Sequence, residues 1–489
     1  MNQSIRHAWM VLVAMFVVLL AAASYVQVIG AQELNNNEAN TRQLYQQFGS
    51  NRGPILVDGE PIAESVPADS DNFDYQRVYH EPEKYSGLTG FYSLTYGATG
   101  LENKLNAELS GTADGMIADR LNNLLTGGEQ RGAQVELTID PQMQEIAYSV
   151  LPDGIKSSVV ISDPATGDVL AMASKPSYDT NLLATHSGAE ARQNMEEITS
   201  QEGLSPYRTA ATQEAVAPGS TFKLIQASAM LESGDYDPDT TLDLPNSITL
   251  PQTDGLQLRN FEGGLCSSPN QADFRYIFAQ SCNTPFATAA MEMGQEPIVE
   301  MAEAFGFNDT FDMPLTATNS SSFPTEQLPD ATLAQSILGA VDVRATALQM
   351  NMVAAGIAND GTLMKPQLID TVRGPDLNLL EDPEPEVYSE PISAETANEL
   401  TGMMQEAVQS GTAISSRSNQ VDIAAKTGTG QISDSTGADT TVHSWITGFA
   451  PADDPQVAVT LVYEDVPYDT GHQLTVDNMK KIMEAVVEQ

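Results

Sequence analysis

Residues 217–223 read Ala-Pro-Gly-Ser-Thr-Phe-Lys and run into an apolar stretch, 224–231, that closes at Gly234. The stretch predicts a buried helix. Gly219 lets the chain approach a neighbour closely before that helix begins. Ser220 then falls in the first turn, and Lys223, three residues on, shares its face. A serine hydroxyl is a weak nucleophile until a nearby base takes its proton. A lysine can be that base when burial or neighbouring positive charge lowers its pKa. The helix N-terminus favours negative charge that develops beside it. Taken alone, the motif reads first as a serine capping a helix, so residues elsewhere must decide.

Two motifs downstream bear on that choice. Ser281-Cys282-Asn283 follows a predicted helix over 274–280. Lys426-Thr427-Gly428-Thr429 follows the apolar run 421–425 and is expected on a strand. There the lysine supplies charge, the hydroxyls can bind a substrate carboxylate, and the glycine lets a substrate backbone approach. Each motif is common by chance. In this order, at a helix start, a loop and a strand, the three form the set shared by penicillin-binding proteins and class A β-lactamases.

Working outward, SSVVISD (157–163) and GDVLAMAS (167–174) flank Pro164-Ala165-Thr166 and predict a hairpin that turns at Gly167. HSWITGFA (443–450) and QVAVTLVYED (456–465) predict a second strand pair. Apolar residues at 476, 479, 482, 483, 486 and 487 predict a terminal helix. Helical patterns cover 331–359 and 394–410, and the acidic proline loop 381–386 lies between them. Strands at both ends with helices between them predict an α+β domain, an antiparallel sheet with a helical subdomain. Upstream, QVELTID (134–140) predicts a strand, and Asp140 is placed to cap a helix from Pro141 to Leu151. The Asn- and Gln-rich stretch 32–60 and the polar segments up to 132 read as a small domain or stalk with several short strands. The expected division is 1–31, 32–150 and 151–489.

The first segment has its own signature. WMVLVAMFVVLLAAASYVQVIGA (9–31) contains no Lys, Arg, Asp or Glu and is long enough to cross a bilayer as a helix. AAAS and IGA are weak small-residue cleavage sites, but the run continues past the length of a signal peptide, so an uncleaved anchor is expected. Arg6 lies before it and should stay cytoplasmic, which places the rest of the chain outside. The 489 residues carry 22 Lys+Arg against 66 Asp+Glu, a net charge of −44. That balance excludes phosphate-backbone recognition, so no nucleic acid partner is expected. The five histidines are scattered without ligand spacing, so neither a metal site nor a cofactor is expected. Cys266 and Cys282 are the only cysteines. Cys282 reads either as a small buried filler or as one half of a disulfide with Cys266.

Beyond the three motifs, Arg52-Gly53-x-Ile55, LTID (137–140), DPATGDVLAMAS (163–174) with PSYD (176–179), AAKTGTGQ (424–431) and HSWITGFAP (443–451) also stand in order. With these, the chain resembles the class B penicillin-binding proteins, most closely the actinobacterial penicillin-binding protein A group, over nearly its whole length. The resemblance implies a short extracytoplasmic pedestal before a penicillin-binding, β-lactamase-like transpeptidase domain. It implies a membrane-anchored enzyme that cross-links peptidoglycan stem peptides ending in D-Ala-D-Ala and is trapped by β-lactams. By the same resemblance Ser220 attacks, Lys223 is the base, Ser281 relays a proton and Lys426 orients it. Asn283 holds the acylated peptide's amide, and Thr427, Gly428 and Thr429 face the substrate's end, the two threonines receiving its carboxylate. Backbone N–H groups of Ser220 and Thr429 form the oxyanion hole. A SEDS-class polymerase and the division or elongation machinery are the implied partners. A D,D-carboxypeptidase or β-lactamase on this scaffold is the alternative enzyme; a β-lactam sensor or non-catalytic wall scaffold is the alternative outside catalysis.

Overall fold

The computed structural model describes residues 2–28, 48–69, 72–261, 265–267, 270–311, 313–315, 321–431 and 441–487. Both strand pairs predicted from the sequence form, and they share one sheet. Its five antiparallel strands run in the order Ala424–Gln431, Thr441–Ala450, Val457–Pro467, Ser157–Ser162, Val169–Lys175. Alternation along these strands sends side chains to two separate cores. Val160, Trp445, Ala458 and Val462 pack with Met350 and Val353 of the helix Ala347–Ala358. Val159, Ile161, Ile446, Val459 and Leu461 pack with Val476, Met479, Ile482 and Met483 of the terminal helix Tyr468–Val487. With helices on both faces, the central strands read as continuous apolar runs, such as VVI at 159–161. Asn351 sits in the first core with its amide satisfied: it accepts from Ser162 Oγ at 2.7 Å and donates to Ala458 O at 3.0 Å.

The helical pattern over 331–359 is not one helix. It forms Asp330–Ser336 and Ala347–Ala358. Between them the chain straps the nucleophile turn. Gly219 N–H donates to Gly339 O at 3.1 Å, and Val216 and Ala345 exchange backbone hydrogen bonds of 3.0 and 2.9 Å. Gly339 has φ +68, and a Cβ on it would lie 2.1 Å from Gly219 O. The apolar periodicity there is real, but the close approach ends the helix.

A six-stranded sheet holds the pedestal. Its order is Leu379–Glu381, Ile369–Arg373, Gln134–Leu137, Ile55–Val57, Glu60–Pro67, Tyr75–Tyr79. Two of its strands therefore come from beyond residue 360, where the sequence shows only a proline loop between helical patterns. Ile369–Arg373 pairs antiparallel with Gln134–Leu137. Asp140 caps the helix Pro141–Ser149 as expected, its carboxylate accepting from Gln142 and Met143 N–H. Inside the pedestal the Glu102 carboxylate is buried between Arg52, at 2.5 Å, and Arg77, at 2.6 Å. Removing one member of such a triad would leave an uncompensated buried charge, so Arg52 serves the fold.

The helix Asn2–Val28 stands apart from both sheets. Its segment Ile5–Tyr25 has 21 residues of mean hydropathy 2.3, none of them buried by the rest of the chain. At 1.5 Å per residue it is about 30 Å long, the thickness of a bilayer core. The end of the predicted anchor, 29–31, and the start of the predicted stalk, 32–47, lie outside the described residues.

Candidate active site

Ser220 lies on the 3₁₀ turn Gly219–Phe222, which continues as the helix Lys223–Glu232. The turn is pressed against the edge strand Ala424–Gln431. Gly219 has φ +56, and a Cβ there would lie 2.3 Å from the Thr429 carbonyl carbon. On the strand side, a Cβ on Gly428 would lie 2.5 Å from Pro218 O. Gly428 thus makes room for the nucleophile turn. Behind the strand, buried Trp445 donates its indole N–H to Ala217 O at 3.0 Å and locks the turn to the sheet.

The three motifs converge on Ser281. Its hydroxyl lies 2.9 Å from Lys426 Nζ and 3.4 Å from Lys223 Nζ. Lys223 Nζ also faces Ser281 O at 2.8 Å, Cys282 O at 3.1 Å and Asn283 Oδ1 at 2.8 Å. Lys426 Nζ donates to Thr427 O at 3.0 Å. Ser281 has φ 57, a left-handed conformation rarely adopted by a residue with a side chain. That turn aims its hydroxyl between the two lysines. Ser220 and Thr429 are half-buried at the cleft, whereas both lysines are fully buried.

Two ammonium groups in one buried site cannot both hold their protons easily. Burial, and then the charge of Lys426, hold Lys223 well below the ordinary lysine pKa. Its four acceptors pull the other way. Complete removal from water outweighs them, because a neutral amine still has two hydrogens to donate. Burial lowers Lys426 to about 7. A neutral Lys223 has the lone pair that a base needs.

Three features had no motif to announce them. The Thr412 hydroxyl shares a 2.6 Å hydrogen bond with that of Thr427, so a third hydroxyl joins the two predicted for a carboxylate. Trp445 falls inside HSWITGFA but carries no sign of its contact with residue 217. Cys266 and Cys282 form a disulfide, which resolves the choice left open by the sequence. The helical turn expected at Ser220 is a 3₁₀ turn, and the α-helix begins only at Lys223.

Two family models match separate stretches of the chain. Residues 157–484 match the penicillin binding protein transpeptidase domain, and 52–135 match the penicillin binding protein A dimerisation domain. The peptidoglycan D,D-transpeptidase PbpA of Mycolicibacterium smegmatis is 38% identical over 476 residues, covering 95% of this chain and 94% of that protein. PbpA of Mycobacterium tuberculosis is 34% identical over 503 residues, covering 100% and 99%. The structure of penicillin-binding protein A from M. tuberculosis as an imipenem acyl-enzyme complex has a TM-score of 0.83 at 32% identity, covering 91% of this chain and 100% of that one. At that identity and over that length, the chain belongs to the penicillin-binding protein transpeptidase family.

Proposed function

We propose that this protein is a peptidoglycan D,D-transpeptidase acting through an acyl-enzyme on Ser220. The single observation that carries the reading is the Lys223–Ser281–Lys426 chain, a proton path with a base at one end and a positive charge at the other. Ser220 Oγ attacks the carbonyl of the penultimate D-Ala and its proton passes to neutral Lys223. The oxyanion faces the N–H groups of Ser220 and Thr429, donors of the kind that supply a large share of catalysis. The C–N bond to the last D-Ala breaks, and Ser281 relays the proton to the departing amine. Lys426 keeps Ser281 oriented. Asn283 holds the amide of the acylated peptide, and Thr427 and Thr429 receive the terminal carboxylate. An amine from a second stem peptide then attacks the ester, forms the cross-link and returns the proton to Ser220. A β-lactam presents a strained amide to the same serine and stays as the ester.

Membrane orientation belongs to the same reading. Arg6 remains in the cytoplasm and everything after the anchor lies outside. The disulfide supports this, since such bonds persist in oxidising compartments. The division of labour is an anchor in 1–31, a non-catalytic pedestal in 32–150 and catalysis in 151–489. A SEDS-class polymerase and division or elongation proteins are the partners that the resemblance brings with it.

A fluorescent penicillin should label the protein covalently, and Ser220→Ala should abolish labelling; full labelling of that variant would sink the reading. A D-Ala-D-Ala donor offered with an amine acceptor separates transfer from hydrolysis. The cross-linked product is expected, and hydrolysed donor alone would mean a carboxypeptidase.

A further inference from the structure

The helix Asn283–Met293 begins inside the active site without a cap of its own. Its N-cap residue is Cys282, whose side chain makes no capping hydrogen bond. The first N–H groups of a helix need acceptors. Here the acceptor comes from a separate element. Gln257–Arg259 is a short strand paired with Ser247–Thr249, and Asn260 follows it, 7% exposed. Its Oδ1 accepts from Asn283 N–H at 2.7 Å and Thr284 N–H at 3.0 Å. Its Nδ2 donates to Pro245 O at 3.1 Å, Cys266 O at 3.3 Å and Thr284 Oγ1 at 3.1 Å. Both ends of this amide are used, so it can sit only one way round.

The residue before it completes the arrangement. Arg259 O accepts from Asn283 Nδ2 at 3.1 Å, while Asn283 Oδ1 faces Lys223 Nζ at 2.8 Å. The Asn283 amide is therefore oriented between Arg259 and Lys223. The Cys266–Cys282 disulfide ties the same loop to the same motif, and Asn260 Nδ2 bonds the carbonyl of Cys266. Ser281, one residue earlier, holds its left-handed turn only while its surroundings over-determine it.

We propose that Asn260 is a positioning residue for acylation: by capping the Asn283 helix from a neighbouring strand, it fixes the Asn283 amide and the Ser281 hydroxyl against Lys223. The inference rests on the acylation of Ser220 as read above. Asn260 touches neither the substrate nor the reacting atoms, and acts through Asn283. Lys426 is the charged group that faces Lys223 among the described residues. A carboxylate at position 260 would be a new charge against Asn283, which itself contacts Lys223, and would favour the ammonium form of Lys223.

The test is the rate of fluorescent-penicillin acylation of the full chain in detergent, measured from pH 5 to pH 10. Wild-type, Asn260→Ala, Asn260→Asp and Ser220→Ala are compared, each checked for its melting transition. In Asn260→Ala the second-order rate should fall by about tenfold or more, the scale of two lost hydrogen bonds at one helix start. Asn260→Asp keeps an oxygen to accept from the Asn283 and Thr284 N–H groups but loses the Nδ2 donor to Pro245 O, Cys266 O and Thr284 Oγ1. It should recover much of the rate at the optimum of its profile, and that profile should move to higher pH as a whole, because the added charge favours the ammonium forms of Lys223 and Lys426. A role confined to stability would lower the melting transition of Asn260→Ala, leave the rate of the folded fraction unchanged, and give Asn260→Asp the wild-type pH profile; that result would overturn the proposal. If Asn260→Ala does not fold, the Asn260→Asp profile decides alone. No labelling of wild-type would overturn the acylation reading, and this inference with it; labelling that is lost only in Ser220→Ala leaves the Asn260 comparison to stand by itself.

Discussion

Two lysines at one serine define the chemistry at the scale of residues. Their protons titrate as a coupled pair, so a pH profile reports both. Lys223 must be neutral to act as base, and its pKa is depressed, so acylation should rise with pH well below the ordinary lysine range. Lys426 must be charged to orient Ser281, and its charge is lost as pH rises through about 7. The expected profile of acylation rate against pH is a bell, and Lys426→Gln should remove its descending limb along with much of the rate. Lys223→Gln should fold yet acylate roughly 10²–10⁴ times more slowly, the usual contribution of general base catalysis. Wild-type acylation by Lys223→Gln would remove that lysine from the mechanism. The residues that touch chemistry were legible because three motifs occur in a fixed order. Thr412 and Asn260 were not, since each acts through one hydrogen bond to a motif residue and no short pattern encodes a partner brought together by folding.

At the scale of elements, the nucleophile turn, its strap and the edge strand share a plane of backbone contacts. Gly219→Ala would meet the Thr429 backbone and carry a positive φ. It should destabilise the protein by roughly 1–3 kcal/mol and depress acylation further than the lost stability explains. Denaturant melts paired with labelling rates would check both. The Cys266–Cys282 bridge closes a short loop of sequence separation 16. Its removal by paired serines should lower stability by about 3 kcal/mol, and a melting transition unchanged in the double variant would contradict this. The strand pairs, marked by continuous β-branched apolar runs, were read correctly from sequence, as were the helix capped by Asp140 and the terminal helix. The pattern over 331–359 misled because its apolar spacing continues through a segment whose backbone is committed to Gly219 and Val216. The strands Ile369–Arg373 and Leu379–Glu381 are short and lie on the pedestal sheet, so their local sequence shows no partner.

For the whole molecule, residue 151 divides the proposed roles but does not divide the folding. Ile369–Arg373 needs Gln134–Leu137 beside it. A fragment covering 151–489 should expose that strand edge and aggregate, whereas one covering 48–489 should stay soluble and be labelled by penicillin. Equal solubility and labelling of the two fragments would show that the catalytic part folds alone. The charge of −44 acts on the molecule as a whole, and self-repulsion of this size opposes the compact state. Added salt screens it, so the melting temperature should rise between low and half-molar sodium chloride.

The disulfide beside Asn283 also marks a moment in the life of the chain. While Cys266 and Cys282 are thiols, the start of the Asn283 helix keeps its Asn260 cap but lacks the covalent tie. Oxidation fastens Cys266, whose carbonyl Asn260 holds, to the motif that carries Ser281. On the proposed extracytoplasmic placement, the groups that serve Ser220 would be secured only where an oxidising surrounding closes the bridge.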